Sequence, residues 1–191
     1  MDTRQVSNRI SITQDRDRTR IEISQGIDKW KMWMLRSWLI AWIFVGSVFI
    51  YNVILQPEVS GKILLFIIIA FWAFFLFRIG KALLWRAKGK EIIEIEPKQM
   101  WIQNAIGKSG RRQSFKLDHI KAIGKIKEKN EFMAYMDNSF WIIGGDKIGF
   151  NYNGRRFQLG KQLNDREVKS LGQILEKSIR EFSKRAAKSS E

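Results

Sequence analysis

The hydrophobic positions of this chain fall into three regimes, and the middle one lacks a polar stripe. From Ser37 to Leu55 the chain carries no charge and is apolar on every side, whereas a core helix of a water-soluble domain shows a polar face at each turn. The run approaches the roughly 20 residues that cross a bilayer. A second run, Ile63 to Phe77, stops at Arg78, but Ile79 and Ala82-Leu83-Leu84-Trp85 continue its apolar face while Arg78 snorkels toward the headgroups. Between the runs, Gln56-Pro57-Glu58-Val59-Ser60-Gly61-Lys62 holds a proline and a glycine, so the chain turns and comes back. The pattern predicts a transmembrane helical hairpin over residues 28–88, with spans at about 35–55 and 63–85.

On either side the period drops to two. Ile10-Ser11-Ile12-Thr13 and Thr19-Arg20-Ile21-Glu22-Ile23-Ser24 alternate apolar with polar, which predicts a β-hairpin within residues 1–27. Two strands alone are marginal in water, so the hairpin is expected to lean on the sheet formed beyond the spans. Asp28 is placed to cap a helix that starts among Trp30, Lys31 and Trp33. After Gly89, strands are predicted at Glu91–Glu96, Gln99–Gln103, Arg111–Leu117 and Ile120–Lys127, more weakly at Phe132–Met136 and Phe140–Ile143, then at Lys147–Tyr152 and Arg155–Leu159 around the Asn153-Gly154 turn. Val168, Leu171, Leu175, Ile179 and Phe182 recur at helical steps behind an Asn164/Glu167 capping box. Residues 89–184 thus form one mostly-β unit closed by an amphipathic helix at 164–184, with 185–191 a flexible tail. The fold class is an α+β membrane protein.

Charge changes the picture by its placement. The 191 residues carry a net charge of +15, of which +3 precedes Ser37, none lies in the turn between the runs, and +12 follows from Arg78 onward. Cations beside a span hold that side in the cytosol, so both termini are expected to be cytoplasmic and the short turn external. Trp30, Trp33, Trp38, Arg78, Trp85 and Arg86 fall where interfacial anchors belong. The N-terminus has no apolar signal region ahead of the first span, which is expected to stay in the protein. Without cysteine, and with one histidine, thiolate and zinc chemistry are disfavoured, and no cofactor is expected.

Short motifs resolve into ordinary structure. Gly107-Lys108-Ser109 imitates the end of a phosphate-binding loop, yet Ile102 stands where the motif needs its first glycine. Asp118 and His119 are adjacent, so on a strand they point to opposite faces. Glu91, Glu94 and Glu96, interspersed with isoleucines, read as one solvated face. Arg111, Arg112, Lys116, Arg155 and Arg156 sit at hairpin positions, where a cytosolic basic patch could meet anionic headgroups or a partner. Nucleic acid is not indicated, because the cations lack an aromatic platform or a docking helix. Neither apolar run, Ser37–Leu55 or Ile63–Phe77, carries an acid or lysine that would mark an ion path.

Two spans followed by Trp85…Gly89-Lys90-Glu91-Ile92-Ile93-Glu94-Ile95, a basic turn into Phe115-Lys116-Leu117-Asp118-His119-Ile120, and Ile148 to Gly160 before a capped helix resemble bacterial two-span membrane proteins with a pleckstrin-homology-like domain. The order of spans and domain is also similar to that of the photosystem I assembly factor of chloroplasts and cyanobacteria. The resemblance implies a non-enzymatic accessory or assembly role in the bacterial inner membrane, with lipids and membrane-complex subunits as partners. It implies no catalytic residue, metal or small-molecule substrate. A module that binds anionic lipid headgroups is the alternative.

Overall fold

The computed structural model describes residues 2–107, 109–126, 139, 142–143 and 145–188, apart from the side chains of 186–188. In chain order the elements are β1 (Asp2–Gln5), β2 (Ile10–Gln14), β3 (Thr19–Ser24), α1 (Lys29–Leu55), α2 (Val59–Lys88), β4 (Gly89–Ile95), β5 (Gln99–Ile106), β6 (Ser109–Lys116), a 3-10 turn (Leu117–His119), β7 (Ile120–Lys125), β8 (Asp146–Tyr152), β9 (Arg155–Lys161) and α3 (Asp165–Lys188). The chain is therefore α+β, with two long apolar helices and two antiparallel sheets. Phe132–Met136 lies outside the described residues, as does Phe140–Ile143 except for Ile142 and Ile143, which form a bend.

The helical hairpin interrupts a sheet. β1 to β6 form one six-stranded meander in sequence order, and the pairing of β3 with β4 joins the strands on either side of the helices, Ser24 opposite Lys90 and Ile21 opposite Ile93. The N-terminal strands are thus part of the main sheet, and β1, exposed throughout, adds an edge that the period-two pattern did not mark. β7, β8 and β9 form the second sheet. α3 packs across the space between them, contributing Val168, Leu171, Leu175 and Phe182 to a core that also takes Ile10, Ile21, Ile93, Ile95, Phe150 and Leu159. Phe115 sits at its centre, edge-on to Phe150, Tyr152 and Phe157 at ring separations of 5.1, 5.2 and 4.8 Å.

Local chemistry sets the element ends. Gln56 precedes Pro57 and is extended at ψ 116°, as the proline ring requires, which stops α1. Ser60, Gly61 and Lys62, expected in the turn, instead join the first turn of α2. At roughly 1.5 Å per residue the helices are about 40 and 45 Å long, more than the ~30 Å of a hydrocarbon layer. Their charged turns, Lys29–Arg36 and Arg78–Lys88, lie at the sheet end. The capping box of α3 is formed both ways: Asn164 Oδ1 accepts from the Glu167 amide at 2.8 Å and Glu167 Oε2 from the Asn164 amide at 3.0 Å. α3 runs past Lys184 to Lys188, and Arg185 donates to the Arg16 carbonyl at 2.9 Å. β7 departs from simple alternation because Ala122 has φ 52° within a register shift between Lys121 and Gly124, so that Ile120 and Ile123 both face the core.

Candidate functional site

The polar residues of greatest interest gather where the helical hairpin meets the two sheets. Arg9, in the β1–β2 loop, is held by three carbonyls: its Nε donates to Ser24 at 3.0 Å, Nη1 to Gln162 at 2.9 Å and Nη2 to Lys161 at 3.3 Å. Arg86, in the last turn of α2, is only 3% exposed and donates to the Ile142 carbonyl and to Gln162 Oε1. One guanidinium thus ties the N-terminal strands to β9, and the other ties α2 to the same segment. Their charges lie close enough to repel. Burial lowers the pKa of Arg9, opposed by the nearby carboxylates of Glu167 and Glu91.

Between these groups and the start of α1 opens a cleft of about 660 Å³. Arg9, Arg86 and Lys31 supply its cations, while Ser24, Asn164 and Gln162 supply neutral polar groups. Its two carboxylates are both engaged. Glu167, which is 7% exposed, accepts from Asn164 and from the Ser7 hydroxyl at 2.9 Å. Asp28 occupies the N-cap position of α1 without making a side-chain cap, and pairs instead with Lys31 at 2.7 Å.

Behind the cleft lies a buried acid. Glu91 shares the inward face of β4 with Ile93 and Ile95 and is fully buried, whereas Glu94 and Glu96 face outward. The reading of all three as one solvated face is therefore corrected: residues three apart on a strand lie on opposite faces. Its Oε2 accepts from the Gly160 amide at 2.9 Å and the Lys161 amide at 3.4 Å, and Oε1 has no partner among the described residues. Burial pushes its pKa up to about 7, against the pull of Lys161 and the two amides. Lys161 pairs with Asp146 at 2.9 Å. The odd spacing of Glu91 from Glu94 was the available sign of this burial.

The five basic residues expected to form one contact surface are spread over the domain. Arg111 and Arg112 lie opposite Asn104 and Gln103, near the end of the sheet that receives α2. Lys116, opposite Gln99, lies toward the other end, roughly 13–17 Å along the strand at ~3.3 Å per residue. Arg155 and Arg156 belong to the second sheet at its far turn, with Arg156 lying across Gly149 and His119 bonded to Asn153 at 2.5 Å nearby. Arg112 is engaged on the outer face, 2.7 Å from Glu94 and stacked on Trp101 at 4.2 Å. Arg20 joins the same ladder through Glu22 and Glu94 at 2.7 and 3.0 Å.

The aromatic and cationic residues of the helices also divide. Trp30, Trp33 and Trp38 are exposed on α1, at 59, 70 and 51%. Arg78 is exposed on α2 and lies over Phe74 at 5.7 Å. Trp85 and Arg86 are buried against the sheets, with Trp85 filling the space a side chain at Gly89 would need.

No family model, curated protein or solved structure matches this chain.

Proposed function

We propose that the chain is a non-enzymatic integral protein of the bacterial inner membrane, in which α1 and α2 span the bilayer and a pleckstrin-homology-like domain at the cytosolic face binds other subunits of a membrane complex. One observation carries the membrane part. Among the described residues, every large hydrophobic side chain that is exposed lies on α1 or α2, including Phe44, Ile54, Phe66, Phe71 and Phe77 at 60% or more. A water-exposed apolar surface of that extent is an aggregation hazard, and a bilayer removes it.

The way the domain is joined to this anchor supports the accessory role. Its sheet contains the strands that enter and leave the helical hairpin, β3 and β4, hydrogen-bonded along their length. A load on the helices therefore reaches the sheet directly, without a flexible linker, which suits a subunit that fixes partners in register with the membrane. Outward-facing β6 and the Arg112–Glu94–Arg20 ladder offer the partner a polar surface. Affinity purification from membranes in mild detergent tests this reading. The expected result is a stoichiometric membrane complex; a chain that purifies alone from membranes at native expression level counts against it.

A second reading, binding of anionic headgroups from the cytosolic side, is favoured by the cationic cleft at the foot of the hairpin.

A further inference from the structure

We infer that the cleft between Arg9, Lys31 and Arg86 is a binding site for the phosphate of an anionic membrane glycerophospholipid. The inference rests on the reading of α1 and α2 as membrane spans, and deepens it by naming what the domain grips at the membrane surface.

Three observations point to this ligand. The first is donor supply. Arg9 has five N–H groups, of which three are used on carbonyls of Ser24, Gln162 and Lys161. Those bonds fix the guanidinium and leave one hydrogen on each terminal nitrogen, a fork suited to phosphate oxygens. The Lys31 ammonium brings three donors and meets the exposed Asp28. Second, Arg9 and Arg86 both line the cleft and their like charges repel, so an anion entering it is favoured. The N-terminal turn of α1 contributes positive potential in the same direction. Glu167 and Asp28 oppose an anion, but Glu167 is committed to the α3 cap and to Ser7, and three cations against the two carboxylates leave the lining net positive even with Lys31 paired to Asp28.

The third is position. The first span begins at about residue 35, so Lys31 lies roughly 6 Å outside the hydrocarbon at ~1.5 Å per residue. Headgroups extend about 5–8 Å beyond each hydrocarbon surface. Trp30 and Trp33, exposed on the same turns, mark the interfacial level. A lipid phosphate therefore reaches the cleft with its acyl chains still along α1. The basic pairs at Arg155 and Arg156 lie at the far end of the domain and do not share this placement.

The test uses the full chain purified in detergent, exchanged into nanodiscs of phosphatidylcholine with one part in five phosphatidylglycerol, and native mass spectrometry to count phosphatidylglycerol retained after release. Wild type is compared with Lys31→Gln, Arg9→Gln and the control Arg112→Gln. The expected result is one preferentially retained phosphatidylglycerol, weakened about fivefold by each cleft substitution and unchanged by Arg112→Gln. Lys31 is on the surface of α1, so its variant keeps the proposal testable should Arg9→Gln fail to fold. Equal retention by wild type and both cleft variants overturns the site. Inorganic phosphate is titrated in parallel: displacement of the lipid by millimolar phosphate confirms phosphate recognition, whereas Lys31-dependent phosphate binding without any retained lipid overturns the lipid source. Resistance of the wild-type chain to alkaline extraction from membranes is scored separately. A chain that resists extraction but shows no Lys31-dependent retention overturns the cleft alone, and one that washes off overturns the anchor.

Discussion

Trp42 and Trp72 clasp the two apolar helices reciprocally: the Trp72 indole donates to the Trp42 carbonyl at 2.7 Å, and the Trp42 indole donates to the Trp72 carbonyl at 3.2 Å. The clasp closes over Gly46, whose position leaves no room for a Cβ beside the Trp72 ring. Trp38 stacks on Trp42 at 4.9 Å and Phe75 meets it edge-on at 6.4 Å, so the contact continues on both sides. Away from water, an indole N–H without a partner is costly, and here each helix satisfies the other's.

Trp72→Phe is expected to loosen the hairpin by roughly 0.6–1.7 kcal/mol, the range of interhelical hydrogen bonds in membranes. Gly46→Val is expected to be worse, because a side chain there collides with the ring rather than merely losing a bond. The pair should be strongly non-additive: in a Trp72→Ala background the collision is gone and Gly46→Val costs little. Thermal stability of the purified variants in detergent, followed by size-exclusion chromatography, reads all three. Equal effects of Gly46→Val in both backgrounds would remove Trp72 as the cause.

Glu91 gives the domain a pH dependence. Its pKa is about 7 in the fold against an ordinary 4.5. A buried acid of this kind holds its proton more tightly folded than unfolded, so its contribution to stability is fully present below about pH 4.5 and is lost as pH rises through 7, by at most about 3 kcal/mol. Glu91→Gln keeps a neutral group with an acceptor for the Gly160 amide. It is expected to match wild type at pH 4 and to exceed it by several degrees in melting temperature at pH 8, measured by differential scanning fluorimetry. A wild-type advantage at pH 8 contradicts the assignment.

What the sequence conveyed depended on the range of the forces involved. The runs from Ser37 and from Ile63, the alternation through Ile93 and Ile95, and the Asn164/Glu167 box are local patterns, and the helices, strand and cap stand where those patterns put them. β1 was silent because Asp2–Gln5 buries nothing and owes its conformation to pairing with β2. The bulge at Ala122 was hidden because no glycine or asparagine announces its positive φ. The cleft was missed for a further reason. Arg9, Lys31 and Arg86 come from three regions of the chain, and only the β3–β4 pairing brings the ends of the helical hairpin together beneath the β1–β2 loop.

The α3 cap does double service, and its two members should differ in cost. Asn164→Ala removes one acceptor at an exposed position and is expected to destabilise by about 1 kcal/mol. Glu167→Ala also strands the Ser7 hydroxyl and removes a carboxylate that offsets Arg9, so roughly 2–3 kcal/mol is expected. Urea unfolding monitored by tryptophan fluorescence ranks them. The reverse order would mean that the cap, not the bridge to the β1–β2 loop, dominates.

Topology can be tested because the chain has no cysteine of its own. Ser60 stands exposed in the first turn of α2, at the end remote from the sheets, and Asp17 stands exposed in the β2–β3 turn of the domain. With charge concentrated around the domain and none net in the turn between the helices, the proposed orientation puts Ser60 outside and Asp17 inside. In spheroplasts, Ser60→Cys is expected to react with a membrane-impermeant maleimide, and Asp17→Cys only after lysis. Because β3 and β4 are paired, the two ends of the hairpin cannot lie on opposite sides of a bilayer. Labelling of Asp17→Cys with protection of Ser60→Cys reverses the orientation, and labelling of both in intact spheroplasts removes the membrane from the account.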